Sequence, residues 1–342
     1  MPIWTSVSKL SVVLESGEQN CDVYANGQNM IGVTISVAPV DEHGKSIEVD
    51  PKVLAANLWL VDYVDETKLN WRGGTGWGYT DVANDFVAIP GGSGERPGTS
   101  AADQGTQQVK FYVYCQPGTN PKSIGVRVVT DAGSAVTSSQ NGSYHSKVAL
   151  TPKAAVTYML GDITWNYSRA TTQFGNVTTD VTTDAWNYYL SLNAPGNYFV
   201  TFRVHGHYSD DGYDGLVAYT IPSGRDDFYG AYIWYQEPHG SAYYDEDDGS
   251  SLGQIVDFPE GNLWSDWARI YDRDYPERYL CCTWVHSTTG GDGWVIPNGP
   301  LTNWSAWFTS RIVAWDRYGN KGTFWMKGSD ITSALKLYDH VP

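Results

Sequence analysis

The chain has 342 residues, of which 41% are hydrophobic and 18% are charged, and its formal net charge at pH 7 is −16. This length accommodates two domains of ordinary size, and no segment has the roughly 18 uninterrupted apolar residues of a membrane-spanning helix. The acidic excess argues against nucleic acid as a partner, because binding a phosphate backbone requires clustered Lys and Arg.

The N-terminal segment and the cysteines leave the cellular compartment open. Residues 1–21 contain neither a basic region nor a continuous apolar run, so we expect no secretory signal peptide in this chain, and any export would use another route. Four cysteines are too few for a disulfide scaffold. Cys281 and Cys282 are adjacent and would point to opposite faces of a strand. Cys21 and Cys115 could pair only if their strands are neighbours.

The first half of the sequence predicts short strands separated by turn residues. Apolar residues alternate with polar ones over residues 9–15, 30–37, 58–63, 109–114 and 124–129. Asp50-Pro51 is typical of a helix start and predicts one short helical turn through residue 56. Residues 73–104 are rich in Gly, Ser, Thr and Asp, and this composition predicts a long exposed loop.

The composition changes near residue 155, because eleven of the fifteen tryptophans lie beyond residue 160. Strands are predicted at residues 186–192, 198–205, 231–235, 279–285 and 311–315, with long loops between them. The tryptophans in strand-like runs are predicted to be core residues: Trp186, Trp284, Trp315 and Trp325. We therefore predict an all-β protein of two tandem β-sandwich-like domains, a scaffold over residues 1–155 and a domain with aromatic and acidic loops over residues 156–342.

Three segments carry a resemblance to a known group of proteins. The segments VYANGQNMIGVTISVAPVDEHGKSIEV, LWLVDY and IVAWDRYGNKGTFW resemble parts of poorly characterised bacterial β-sandwich proteins, some of which resemble secreted or insecticidal-type virulence factors. The resemblance rests on strand and turn patterns, and it implies an all-β fold and a bacterial interaction or toxin context. It implies no functional residues.

Aromatic residues next to hydrogen-bonding groups provide the main binding signal. Sugars are recognised by flat rings that contact their apolar C–H faces and by carboxylates and amides that bind their hydroxyls. This combination occurs in the second half, and the predicted ligand-binding residues are Trp234, Tyr235, Glu237, Tyr243, Tyr244, Trp264, Asp266 and Trp267. The alternative for these rings is burial in the core.

The acidic run at residues 245–248 is a candidate Ca²⁺ site, because carboxylate oxygens are the ligands that Ca²⁺ prefers. The predicted metal ligands are Asp210, Asp214, Asp245, Asp247 and Asp248. The run does not fit the EF-hand loop, and a solvated acidic loop is the alternative. His205 and His207 stand two apart at a strand end, which suits Zn²⁺ or Cu²⁺ only if a carboxylate completes the site.

No motif identifies an enzyme. Ser251 stands in a G-x-S-x-G sequence, but the strand before it and the helix after it are missing. The acidic residues Asp210, Asp214, Glu237 and Asp257 show no spacing that selects a glycosidase pair.

The predicted function is non-enzymatic binding of a glycan or a host-cell surface receptor, in a bacterial toxin or virulence factor. The alternatives are a pore-forming β-type insecticidal toxin and a carbohydrate-active hydrolase. The pore-forming alternative requires an amphipathic hairpin. Residues 135–144 and 171–183 have the Ser and Thr content for one, but their apolar alternation is sparse. The sequence leaves the ligand and the oligomeric state open.

Overall fold

The structure is a computed structural model, and it is nearly all β, which confirms the predicted fold class. It describes residues 4–89, 105–170, 172–175, 181–205, 216–220, 227–234, 254–257, 267–270, 280–289, 310–328 and 335–341. Within these residues, the only α-helix is α1, Pro51–Ala56, and a 3-10 turn spans Leu160–Asp162. No helix in this part of the chain is long and apolar enough to cross a membrane.

Contacts between Cα atoms divide the chain into two compact units. The first unit comprises Met1–Val156 with Arg317–Asn320, and the second comprises Thr157–Asp316 with Lys321–Pro342. Independent folding of residues 1–155 and 156–342 stays a prediction.

In the part of the first unit that the structure describes, the strands form two sheets. Its strands are β1 Ser6–Leu14, β2 Asn20–Tyr24, β3 Ile31–Val40, β4 Leu58–Asp62, β5 Asn70–Trp71, β6 Trp77–Thr80, β7 Gln107–Cys115, β8 Lys122–Val129, β9 Ala135–Thr137 and β10 Val148–Lys153. One sheet has the order β1-β3-β7-β6-β5, and the other has the order β2-β10-β8-β4, with β9 paired to β8.

The core of the first unit lies between these two sheets, because alternate residues of the longer strands in both sheets belong to the same buried cluster. In β3, Ile31, Val33, Ile35 and Val37 are all buried, as a period of two predicts. In β8 of the facing sheet, residues 124, 126 and 128 belong to the same cluster. This arrangement is a β-sandwich.

The predicted helical turn and the predicted loop have different outcomes. Asp50 caps α1 through its side chain, which accepts hydrogen bonds from the amides of Lys52 and Val53, and Pro51 begins the helix.

The prediction of one exposed loop over residues 73–104 is wrong in part, because residues 77–80 form β6, which is buried and pairs with β7. Glycine at position 78 is required there, because a Cβ would lie 2.8 Å from the ring of Tyr114.

The described residues of the second unit form three sheets. Its strands are β11 Thr157–Tyr158, β12 Ile163–Ala170, β13 Thr172–Gly175, β14 Val181–Leu192, β15 Phe199–His205, β16 Leu216–Thr220, β17 Asp227–Trp234, β18 Gln254–Asp257, β19 Trp267–Ile270, β20 Leu280–Thr289, β21 Ser310–Asp316, β22 Lys321–Gly328 and β23 Leu335–Tyr338. The sheets have the orders β11-β22-β21-β15 with β23 on β22, β12-β14-β20-β17-β16, and β13-β19-β18.

The core of the second unit joins the first two of these sheets, and it tests the predicted core tryptophans. Trp284 is buried in the core, and Trp186 is half-buried against it. Trp315 and Trp325 are half-buried and do not belong to the core cluster. The prediction is wrong for these two residues. Side chains alternate between the two faces of a strand, and the residues directly before them, Ala314 in β21 and Phe324 in β22, occupy the core face.

The cysteines at positions 21, 115 and 282 are buried thiols. Cys21 and Cys115 do not form the disulfide that the sequence left open. Burial raises the pKa of Cys21 to about 11 and that of Cys115 to about 12. These two side chains therefore remain protonated at neutral pH and act as small apolar groups, not as nucleophiles.

Candidate functional site

Most of the predicted site residues lie outside the described part of the chain. This holds for six predicted ligand-binding residues, Tyr235, Glu237, Tyr243, Tyr244, Trp264 and Asp266, and for all five predicted metal ligands, Asp210, Asp214, Asp245, Asp247 and Asp248. His207 and Ser251 also lie outside it. Binding and metal coordination by these residues stay predictions.

Two predicted ligand residues fall at the ends of described strands. Trp234 is the last residue of β17 and is in register with Cys281, and Trp267 is the first residue of β19. In the three-stranded sheet, Trp267 is in register with Asp257, one of the four acidic residues considered for glycoside hydrolysis. The backbone register thus pairs a predicted ligand-binding residue with an acidic residue.

The described residues contain no group of three or more His, Cys, Asp and Glu side chains that could hold a metal ion. His205, one of the two histidines considered for Zn²⁺ or Cu²⁺, ends β15 in register with Arg311.

The described side chains place a different aromatic residue, Trp71, at the surface of the first unit. Trp71 ends the two-residue edge strand β5 and is 47% exposed. Its ring centroid lies 5.0 Å from that of Tyr79 and 5.9 Å from that of Phe111, both in edge-to-face geometry. Tyr79 and Phe111 are buried and contact each other at 5.2 Å. Two core rings therefore support an indole that remains accessible.

The supporting ring of Tyr79 is neutral. Burial raises the pKa of Tyr79 to about 12, and a backbone hydrogen bond with Leu60 offsets only part of this desolvation. The aromatic base under Trp71 therefore carries no charge at physiological pH.

An arginine and an aspartate flank the exposed indole. The guanidinium carbon of Arg72 lies 5.1 Å from the Trp71 ring centroid, within the range of a cation–π contact. Nη2 of Arg72 donates to Oδ1 of Asp81 at 2.7 Å, and this hydrogen bond holds the pKa of Asp81 below its ordinary value. Both side chains are about half exposed, so they present donors and acceptors to solvent next to the ring.

The glycine-rich turn after Trp71 fixes this arrangement. Arg72 has a φ of +50°, and Gly74 has a φ of +84°. Asn70 closes the turn, because its Nδ2 donates to the carbonyl oxygen of Thr75 at 2.6 Å. The amide of Arg72 donates to the carbonyl oxygen of Tyr79 at 2.9 Å, which joins the turn to β6. The backbone around Trp71 is therefore held by local hydrogen bonds on both sides.

Sequence reasoning did not select Trp71, although it used the same chemical criterion elsewhere. The available signal was an aromatic residue followed directly by arginine and two glycines, which is typical of a ring at the start of a tight turn. This signal does not distinguish an exposed ring from a buried one. The arrangement of an accessible indole, a guanidinium and a carboxylate is suited to a ligand with one apolar face and several hydroxyls.

Comparison with known proteins gives only distant structural matches. No protein-family model matches the chain, and a search of curated proteins finds no match. The chain has weak structural similarity to the C-terminal domain of the Streptococcus agalactiae AgI/II polypeptide BspA, with 10% identity, a TM-score of 0.23, and coverage of 96% of this chain and 99% of that one. It has equally weak structural similarity to the C-terminal domain of the Streptococcus pyogenes antigen I/II-family protein AspA, with 10% identity, a TM-score of 0.23, and coverage of 96% of this chain and 98% of that one.

These matches are to bacterial proteins, and their TM-scores are too low to support an argument about shared fold or function. The insecticidal part of the sequence resemblance stays a prediction.

Proposed function

We propose that this protein binds glycans without chemical turnover, and that Trp71 is a contact residue for a sugar ring. The observation that carries this proposal is the position of Trp71, which is nearly half exposed on a base of two buried rings and is flanked by Arg72 and Asp81. A pyranose presents an apolar C–H face to an indole, while its ring hydroxyls accept from a guanidinium and donate to a carboxylate.

The rigidity of the site supports binding. An exposed side chain that is already held in place loses little conformational entropy when a ligand binds, whereas ordering a mobile one costs roughly 0.5–1.5 kcal/mol. The Trp71 ring contacts two core rings, and its backbone neighbours are fixed by the Asn70 turn. The ring is therefore pre-organised for a ligand.

The charge of the chain selects among glycans. With a formal net charge of −16, the protein repels polyanions such as sulfated or sialylated chains at low salt. The Arg72 guanidinium is already paired with Asp81 and does not provide an isolated positive site. A neutral hexose-containing glycan is the ligand class that fits, and a glycan-bearing host-cell surface is the corresponding partner. A role in bacterial virulence belongs to the same proposal.

A glycan array with the full chain, run with and without Ca²⁺, is the first test, followed by calorimetric titration of the strongest neutral ligand. Trp71→Ala should weaken binding by tenfold or more, which corresponds to about 1.4 kcal/mol. Trp71→Phe keeps a ring on the same base and should retain most of the affinity.

Val82→Ala is the matched control, because Val82 is 60% exposed and follows Asp81 directly in the sequence. Its affinity should equal that of the unsubstituted protein. Equal affinities for Trp71→Ala and Val82→Ala, with far-ultraviolet dichroism unchanged in both, would exclude Trp71 as a sugar contact.

A further inference from the structure

A second exposed ring, Tyr167, lies on the edge strand β12 of the second unit. Tyr167 is 63% exposed, although its ring centroid lies only 5.2 Å from that of Tyr188. Tyr188 is buried in the core of this unit. The same buried ring stacks against Trp165, with a centroid distance of 5.2 Å and an interplanar angle of 28°. One core tyrosine therefore supports two rings of β12.

The two rings follow one another along one face of the strand. Trp165 and Tyr167 are two residues apart, so their Cα atoms are separated by about 6.6–6.8 Å along the strand. Trp165 is half-buried, and its Nε1 donates to the carbonyl oxygen of Leu335 at 3.2 Å, which fixes the indole. The aromatic surface thus extends from the fixed, half-buried indole of Trp165 to the exposed ring of Tyr167.

A polar pair continues the same face. Arg169 lies two residues beyond Tyr167, and its Nη2 donates to Oδ1 of Asp184 on the neighbouring strand β14. The Arg169 side chain is 74% exposed and that of Asp184 is 43% exposed. Both can therefore reach a ligand that contacts the ring of Tyr167.

We infer that Tyr167, with Arg169 and Asp184, forms a second binding site for a neutral glycan, so that each unit of the chain carries one. The choice of ligand class rests on the function proposed for Trp71, whereas the site itself is built from separate residues. A surface tyrosine alone would need no explanation. Here the exposed ring rests on a core ring and stands beside an arginine–aspartate pair, which is the combination that surrounds Trp71.

Two sites on one chain predict a gain in apparent affinity for polymeric ligands. When two sites engage one polysaccharide surface, the second contact is intramolecular, and avidity can exceed either single affinity by about 10²-fold or more. A short oligosaccharide that fills one site at a time shows no such gain. The comparison of polymer with oligomer therefore reports on the number of sites.

The test uses the full chain with maltohexaose, cellohexaose and mannohexaose as soluble probes, and with the matching immobilised α-glucan, cellulose and mannan. Four proteins are compared: the unsubstituted chain, Tyr167→Ala, Trp71→Ala and the double variant. For the hexasaccharide that binds, calorimetry should give a stoichiometry near two for the unsubstituted chain and near one for each single variant. On the immobilised polymer, each single variant should lose tenfold or more in apparent affinity.

Ser168→Ala provides the matched control, because Ser168 is exposed on the same strand, its side chain points to the opposite face from Tyr167, and both sites should be retained. A stoichiometry of one in the unsubstituted chain that Tyr167→Ala leaves unchanged would overturn the second site while leaving the Trp71 proposal intact. Loss of all binding in Tyr167→Ala with none lost in Trp71→Ala would support the second site and overturn the first. Failure of all three hexasaccharides and their polymers to bind the unsubstituted chain would overturn both.

Discussion

Replacing Tyr158 with phenylalanine removes one hydroxyl from a buried hydrogen-bond cluster of the second unit. The Tyr158 hydroxyl donates to Oδ2 of Asp316 at 2.7 Å. Nδ2 of Asn197 donates to the same carboxyl oxygen at 2.8 Å and to the Tyr158 hydroxyl at 2.9 Å. Asp316 is 0% exposed, so water cannot replace a lost donor without entering the core.

The size of the effect follows from what the substitution leaves in place. The edge-to-face contact between the rings of Tyr158 and Phe199, with centroids 5.8 Å apart, is retained in Tyr158→Phe, so no large cavity forms. The variant loses one hydrogen bond to a buried carboxyl group and one acceptor for Asn197. Hydrogen bonds of these kinds contribute roughly 0.5–3 kcal/mol each, and we expect the free energy of unfolding to fall by about 2 kcal/mol.

Urea unfolding followed by tryptophan fluorescence measures this change. With a slope of about 1–3 kcal/mol per molar, a loss of about 2 kcal/mol lowers the midpoint by on the order of 1 M at unchanged slope. Tyr167→Phe is the control, because it makes the same chemical change at an exposed tyrosine and should shift the free energy by less than about 0.5 kcal/mol. The reasoning fails if the two variants have the same midpoint.

Three further predictions concern pH, calcium and domain organisation. Burial raises the pKa of Asp62, but hydrogen bonds from the Lys122 ammonium and from backbone amides outweigh it and leave this pKa below its ordinary value. Because the folded-state pKa is lowered, ionised Asp62 stabilises the fold above the unfolded-state pKa near 4, and this contribution is lost as the pH falls through the folded-state pKa. In Asp62→Asn, the free energy of unfolding should therefore fall less between about pH 6 and 2 than in the unsubstituted protein, as measured by urea unfolding. If the predicted acidic site binds Ca²⁺, millimolar calcium should raise the melting temperature of the protein. The joint substitution of Asp245 and Asp247 by Asn should abolish that rise. A melting temperature of the unsubstituted protein that does not change with calcium would exclude the site. A fragment of residues 1–155 should unfold cooperatively by itself, and an unfolded fragment beside a cooperative full chain would contradict the two-domain organisation.

Local pattern was sufficient to predict the fold class and much of the strand content. The alternation of Ile31, Val33, Ile35 and Val37 predicted one buried face, and all four side chains lie in the core. The helix start at Asp50 was also predictable, because an aspartate followed by proline satisfies the first free amides of a helix by local chemistry. These features depend on a few neighbouring residues, and the sequence contains all of them.

The partners of the strands required the tertiary structure. The short strand β6 lies within a glycine-rich stretch that predicts a loop, and it is a strand because it pairs with β7, more than thirty residues further along the chain. Strand β2 pairs in parallel with β10, near the end of the first unit. Pairing of this kind is stabilised by contacts between distant segments, which no local pattern encodes.

For the candidate site, Trp71 and Trp77 show the same division between what local sequence determines and what tertiary structure decides. They stand six residues apart in one stretch, NWRGGTGWGYT, and each is next to a glycine or an arginine. Trp77 is 4% exposed, and its Nε1 donates to the carbonyl oxygen of Asn120 at 2.8 Å, whereas Trp71 is 47% exposed. The sequence determined that both rings flank a tight turn. Which ring is buried was decided by the tertiary structure, because burial depends on the opposite sheet and on the segment around Asn120, and both come from elsewhere in the chain.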